Sequence, residues 1–384
     1  MNILWISYYP LHQNEHPAPW ITTLAKETVS QGHSLTILTV SSRIFEVKKI
    51  QSVSGYEVIV VPYKGGIFHL LSFFNSRINA LKSFLNDYDQ NIDVIHVHGT
   101  EHQYASSLLR IKKKIPFIIS VQGIMSLYKK ELKKRLSMVN LFWTLSSFYE
   151  KKEIRNSHNF FCRTHWDRSF IHQMNKNSEF FMNWELIRPE FFQYENDYRG
   201  RDLIFMAGAS FLKALDICLQ VFDQLLAGID IKLHIVGTCS LKDVDAIRIK
   251  YQLSRLNSEN IILYGQQDAA GICEVYMECF CLYHPSLIDN SPNTVCEAQV
   301  AGLPVVATNV GGLSSLIKHT ETGLLVDKNN VHQHAETLFN LYQDDKLRRY
   351  LGQNSMCVAR KRHDKVNIVN KTIDAYRKIM HAAS

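Results

Sequence analysis

No stretch of this 384-residue chain reaches the run of about 20 apolar residues that a membrane-spanning helix needs. The opening residues, Met1-Asn2-Ile3-Leu4-Trp5-Ile6-Ser7, lack the basic start and small-residue cleavage site of a secretion signal and read instead as a buried strand. A cytoplasmic location is therefore expected. None of the eight cysteines forms a CxxC pair, and most lie inside apolar segments, which argues against a zinc ribbon or a dithiol redox centre. Cys279 and Cys281 share one face of a predicted strand and are expected to be small core residues. Nucleic-acid-binding motifs, short repeats and low-complexity tracts are also missing.

What is present is a soluble, globular composition, 46% hydrophobic and 21% charged. The length is too great for one ordinary core and suits two domains. The formal net charge is +7, and the excess clusters at Lys112–Lys114, from Lys129 to Arg135, and at Arg360–Arg362. Without a nucleic-acid motif, an anionic membrane surface is the favoured partner for such charge. From Leu127 to Leu136, and on to Leu141-Phe142-Trp143, lysines alternate with large apolar residues in the manner of a segment that lies on a bilayer. A solvated basic helix is the competing reading.

Short β-branched runs alternate with longer helical stretches along the whole chain, the pattern of parallel sheets covered by helices. Strands are predicted at 2–7, 34–40, 57–62, 92–98, 117–121, 160–163 and 180–182. The rhythm restarts at 203–207, 232–236, 261–264, 280–284, 305–308 and 324–326. The polar segment 193–201 is the predicted linker, and 366–381 the closing helix. The expected domains are residues 1–195, residues 196–365, and a final helix 366–384 returning to the first domain. The segment 183–189 is a candidate hinge. Open α/β sheets bind ligands beyond the carboxyl ends of their strands, so functional residues are expected there.

The richest such segment runs from His284 to Ala298, directly after a predicted strand. Ser291 and Pro292 suit a helix start, and Gly302 suits its end. A helix start offers free N–H groups and a positive dipole end, which suits a phosphate. Asn293 and Thr294 lie in this first turn. Asp289 and Glu297 flank it, placed to accept hydrogen bonds from the hydroxyls of a sugar nucleotide.

This segment resembles the acid-x7-acid signature of retaining glycosyltransferases of family 4, here Asp289 and Glu297, and the run from Glu297 to Val306 matches as well. The resemblance implies the GT-B fold: two facing Rossmann-like α/β domains with parallel sheets and an interdomain cleft. By the same resemblance Glu297 binds the ribose and Asp289 the transferred sugar. Ser210, Lys213, Asn290, Ser291, Asn293 and Thr294 complete the expected donor set. Lys213 resembles the family lysine that contacts the donor diphosphate, where a cation offsets charge on the leaving group. An ordinary solvated lysine is the alternative. The chain departs from the pattern in two places: Ala207 and Gly208 stand where the family arginine is found, and Ala214 where a glycine follows the lysine.

In the first half, His98 ends a predicted strand and resembles the second residue of a family His-x-His, placed near the reacting sugar carbon; it is a catalytic candidate with Asp289 and Lys213. A hydrogen-bonded structural histidine is the other reading. His96 is expected in the core. Glu101, Gln122 and Arg163 are the acceptor-side candidates. The stretch Cys162 to Arg168 resembles a motif of capsule and exopolysaccharide transferases, and an Arg163–Asp167 helix pair is its plainer explanation. The loop from Tyr8 to Pro19, with His12 and His16, lacks the glycine pair of many relatives.

The resemblance implies transfer of a glycosyl group from a nucleotide sugar, a UDP-sugar by expectation, to a saccharide or lipid-linked acceptor, with retention of configuration and no required metal or cofactor. Two rivals stand beside it. One is a sugar-nucleotide epimerase of the same fold; the other is a non-catalytic binding or accessory protein.

Overall fold

The computed structural model describes residues 1–11, 18–132, 138–206 and 210–383. The chain forms two compact units, Met1–Leu186 with Lys365–Ser384, and Ile187–Asp364. The boundary thus falls earlier than the polar segment 193–201. The reason is packing: Phe191 is fully buried with its ring 6.0 Å from Tyr276, and Gly200 lies against the backbone of Cys279. Arg360 fastens the same segment by donating to the Tyr194 and Val300 carbonyls, at 3.0 and 3.1 Å.

The first unit holds an eight-stranded sheet: β1 (Asn2–Ile6), β2 (Ser34–Ser41), β3 (Lys48–Gln51), β4 (Glu57–Pro62), β5 (Val94–His98), β6 (Phe117–Ser120), β7 (Asn159–Cys162) and β8 (Glu179–Met182). The order is β3-β4-β2-β1-β5-β6-β7-β8, and only β3 runs antiparallel to its neighbour. Central strands are buried on both faces, as their continuous apolar runs demand; all five residues of β5 are buried. The edge strand β3 reads Lys-Lys-Ile-Gln and is exposed throughout. Its charge protects an open edge and hides it from a hydrophobic pattern search.

The closing helix, Lys365–Ala383, belongs to this unit. Ile368, Val369, Ile373, Tyr376 and Ile379 bury into the core beside β1 and β2. Asn183 donates to the Ile368 carbonyl and the Thr372 hydroxyl, at 3.0 and 2.9 Å, and so anchors the end of the first chain segment to the same helix.

The second unit holds a six-stranded, wholly parallel sheet: β9 (Asp202–Met206), β10 (Leu233–Val236), β11 (Ile261–Gly265), β12 (Cys279–His284), β13 (Val305–Thr308) and β14 (Leu324–Val326), in the order β11-β10-β9-β12-β13-β14. Capping boxes start two helices of the chain, Thr164 with Asp167 and Ser240 with Asp243. Cys279 and Cys281 are buried, and burial holds both thiols well above their ordinary pKa, as core residues rather than reactive ones. Among the described residues no helix is long and apolar enough to cross a membrane.

Candidate active site

In the second unit the site is built where β12 ends. His284 closes that strand, a short loop carries Ser286, Asp289 and Asn290, and the helix Asn293–Val300 follows. Pro292, in extended conformation, is the residue that caps this helix, so the helix begins at Asn293 rather than at the Ser291-Pro292 expected from sequence. The Pro292 carbonyl accepts from the amides of Val295 and Cys296, at 3.1 and 3.2 Å. Among the described residues the amides of Asn293 and Thr294 have no acceptor, and the Thr294 hydroxyl is buried without a partner. Two amides and a hydroxyl without partners among the described residues therefore lie in the first turn, at the positive end of the helix.

Asp289 is the centre of the charged cluster. Lys213 Nζ donates to its Oδ2 at 2.5 Å, and His284 Nε2 lies 3.1 Å from the same oxygen. Ser286 Oγ sits 2.9 Å from His284 Nε2, and Asp289 Oδ1 accepts the Asn290 amide at 3.1 Å. Burial alone would push the Asp289 carboxyl up; Lys213 and His284 outweigh it and hold the group well below the usual carboxylate range. Burial also lowers His284, against the opposing pull of Asp289. His284, to which the sequence pattern alone assigns no role, closes its strand as His98 closes β5. Lys213 reaches the cluster from the turn after β9, where the Leu212 carbonyl accepts the Leu287 amide at 2.8 Å. Ser210 opens that turn and is exposed.

Gly311 explains the glycine pair after β13. Its φ is +56°, and an added Cβ would stand 1.8 Å from the Asp289 carbonyl oxygen. Gly312 then donates its amide to that oxygen at 2.9 Å. The pair is thus a close-packed buttress for the Asp289 loop rather than a flexible linker.

Glu297 lies one turn into the helix, buried, with its Oε1 held by Arg188 Nε at 3.0 Å and by a second guanidinium nitrogen at 2.9 Å. Arg188 stacks over Phe191, 4.9 Å from the ring centroid. Arg188 lies in the candidate hinge 183–189, and its side chain is the partner of the expected ribose-binding acid. The positions of the missing family arginine, Ala207 and Gly208, lie outside the described residues, as do His12, His16 and Lys133 to Arg135. Ala214 stands in the left-handed region, φ +57°, the conformation that a glycine would adopt without strain.

The first unit gathers a second set at the carboxyl ends of its strands. His98 is buried beside Trp5, with ring centroids 4.8 Å apart, and stacks on His96 at 3.8 Å. Among the described residues its Nε2 has no hydrogen-bond partner. Burial first, and Arg163 second, push His98 down to about 3, so it stays neutral at neutral pH. A cavity of about 40 Å³, large enough for a water, is lined by both histidines with Ser120, Arg163, Trp184 and Glu185. His96 is buried as expected, yet it is not an inert core residue. Its Nδ1 lies 2.6 Å from the Tyr376 hydroxyl and its Nε2 2.6 Å from Ser120 Oγ.

The Arg163 guanidinium pairs with Glu185, not with Asp167; Asp167 accepts the Arg163 backbone amide at 3.0 Å and caps its own helix. Glu101 accepts the Gly123 amide at 2.7 Å, and burial raises its carboxyl against those backbone bonds. Gly99, at φ +86°, holds a conformation that favours glycine, and the place of a Cβ lies 2.3 Å from Glu101 Oε2 and 3.5 Å from Gln122 Oε1. Glu101 and Gln122 therefore share one corner, and His98 and Arg163 another.

Two Rossmann-like units are the GT-B architecture, and the family matches make the chain a glycosyltransferase of that type, a class that acts on nucleotide sugars. The chain carries a Glycosyltransferase Family 4 domain over residues 19–178 and a Glycosyl transferases group 1 domain over residues 187–356. It is 25% identical over 321 residues to an uncharacterized glycosyltransferase of Methanocaldococcus jannaschii, covering 83% of this chain and 82% of that one. Sucrose-phosphate synthase from Thermosynechococcus elongatus superimposes with a TM-score of 0.79 at 16% identity, over 99% of both chains. Anabaena HepE, solved with UDP and glucose, superimposes with a TM-score of 0.72 at 13% identity, over 98% of this chain and 100% of that one.

Proposed function

We propose that the chain transfers a hexosyl group from a uridine-diphosphate sugar to a saccharide or lipid-linked acceptor, with retention of configuration, in the assembly of a capsular or extracellular polysaccharide. The observation that carries this reading is the helix start at Asn293. Its two free amides and the buried Thr294 hydroxyl suit a diphosphate, with Lys213, Asp289 and Glu297 on hand for the rest of the donor. The chain's share of the chemistry is positioning and charge. Lys213 and the helix end stabilise the leaving diphosphate, Asp289 and Glu297 grasp hydroxyls, and the first unit's own contribution is the neutral His98, a hydrogen-bonding group. Occupation by a diphosphate would draw Lys213 from Asp289 and leave that carboxylate for the sugar. HepE, whose structure contains UDP and glucose, supports a uridine donor.

An anionic membrane surface fits the first unit. Ile67, Phe68, Leu71 and Phe73 are exposed around the helix Gly66–Leu71, and Met138, Val139, Leu141, Phe142 and Phe148 along Met138–Asn156. Phe142 packs on the buried Phe74 ring, 5.1 Å between centroids, which brings the second group next to the first. Lys64 sits over Phe68 at 5.4 Å, and Lys129 and Lys130 lie in the last turn of the helix Met125–Glu131, which packs on Met138–Asn156. An exposed apolar patch edged by lysines suits a lipid-linked acceptor's own membrane.

The test is a panel of sugar nucleotides incubated with purified protein, with donor hydrolysis followed by chromatography and product anomers by NMR. Slow hydrolysis of a uridine-diphosphate sugar with retained configuration is expected. No hydrolysis of any donor would favour the non-catalytic binding protein, and interconverted sugar without cleavage the epimerase.

A further inference from the structure

The amino ends of the second unit's central strands carry a cluster that the donor site does not use. Asp202 opens β9, His234 is the second residue of β10, and Glu278 immediately precedes β12. These three strands are neighbours in the sheet, in the order β10-β9-β12. The donor loop follows the carboxyl end of β12, so this cluster lies at the opposite edge of the sheet.

The His234 imidazole is fully buried, and its Nε2 faces both acids. Asp202 Oδ2 is 2.9 Å away and Glu278 Oε2 is 3.6 Å away. One ligand atom from each of the three residues falls within 4.8 Å of the others. The second ring nitrogen, Nδ1, lies 3.0 Å from the Tyr264 hydroxyl, and the two rings stack with 17° between their planes. That contact fixes the ring and directs Nε2 outward, as partners of metal-bound histidines do. Asp202 is oriented in turn, because its Oδ1 accepts the Lys232 amide at 2.8 Å. Among the described residues no lysine or arginine side chain pairs with either acid. Two carboxylates thus converge on one nitrogen with no fixed cation between them, an arrangement that like charge disfavours.

We propose that Asp202, His234 and Glu278 bind a divalent transition ion of the zinc type, as a clamp across three central strands. One imidazole nitrogen and two carboxylate oxygens suit zinc, whereas magnesium prefers oxygen ligands alone. Glu278 is 60% exposed at its side chain, so water completes the coordination from the open side. The ion's role is structural and separate from transfer, and it stands whether or not the donor reading does.

Full-length protein stripped with EDTA and titrated with zinc chloride tests this by calorimetry and thermal melting. One equivalent is expected to bind, and melting is expected to rise by about 5 °C at free zinc about 100 times Kd. Magnesium chloride should give no rise. Glu278→Gln removes an exposed ligand, so its metal-free melting should match the parent, while zinc binds about tenfold or more weakly and the rise at the same free zinc shrinks to about half or less. Asp202→Asn provides a second variant with the same expected loss. Absence of zinc binding, or an unchanged Kd and rise in both variants, overturns the proposal, the latter by placing zinc on other side chains.

Discussion

Lys213 Nζ lies 2.5 Å from Asp289 Oδ2, so the cation and the acid of the donor cluster are each other's partner. Neither group is buried alone, and the pair keeps Asp289 ionised in a buried loop. This pairing has a kinetic consequence. Lys213→Ala removes charge from the diphosphate and frees an uncompensated carboxylate beside it. Donor hydrolysis should fall by roughly 10²–10³-fold, measured as kcat on the preferred sugar nucleotide. The Asp289 carboxyl should also move upward, readable by NMR titration.

Gly311→Ala would drive a Cβ into the Asp289 carbonyl and force a left-handed φ on an alanine. Stability should drop by about 2 kcal/mol or more, measured by urea unfolding. Nucleotide affinity should fall with it, because the displaced loop carries Asp289 itself.

Tyr376 ties the closing helix to the acceptor-side histidines. Its hydroxyl accepts from Trp5 Nε1 at 3.1 Å and meets His96 Nδ1 at 2.6 Å. Tyr376→Phe leaves two buried groups unsatisfied and should cost about 1–3 kcal/mol in chemical denaturation. His98 loses part of the scaffold beneath its stacked ring, so kcat should fall while the Kd for nucleotide stays unchanged.

Glu153 is buried beside the helix Tyr104–Leu108. Its Oε1 accepts the Ser106 amide and hydroxyl at 2.6 and 2.7 Å, and among the described residues its Oε2 has no partner. Burial pushes it up to about 8, against those bonds, and pushes neighbouring Glu150 up to about 7. An unfolded glutamate titrates near about 4.3. Between these values the folded state holds more protons than the unfolded state, so stability falls as pH rises from about 4.5 to about 8. Glu153→Gln should flatten that slope, seen as urea midpoints that change less between pH 5 and 8 than in the parent.

Phe68→Asp with Leu71→Asp places two charges in the exposed patch. Binding to vesicles containing anionic lipid should be lost in a flotation assay, while melting and donor hydrolysis remain as in the parent. Equal flotation of the variant would remove the patch from the account.

The sheets were legible because buried parallel strands carry uninterrupted apolar runs, and β4, β13 and β14 end where the sequence pattern ends. The charged edge strand β3 carried no such signal. Lys213 and Asp289 could be named from their motifs, but not their contact, since residues 76 apart meet only through the folded loops. Arg188 was hidden for the same reason: its partner Glu297 lies 109 residues away. Glu185 looked like hinge chemistry until Arg163 was found against it. His284 was the one omission with a readable signal, a histidine closing a buried strand just ahead of the acid.

Calorimetric titration with uridine diphosphate, on the parent and on Glu297→Ala, tests the donor account most directly. The account predicts binding to the parent at about one equivalent, and a Kd raised about tenfold or more in the variant, whose ribose contact is gone while its fold, checked by circular dichroism, remains. A parent that binds no nucleoside diphosphate, or a variant that binds it with the parent's Kd, would contradict it.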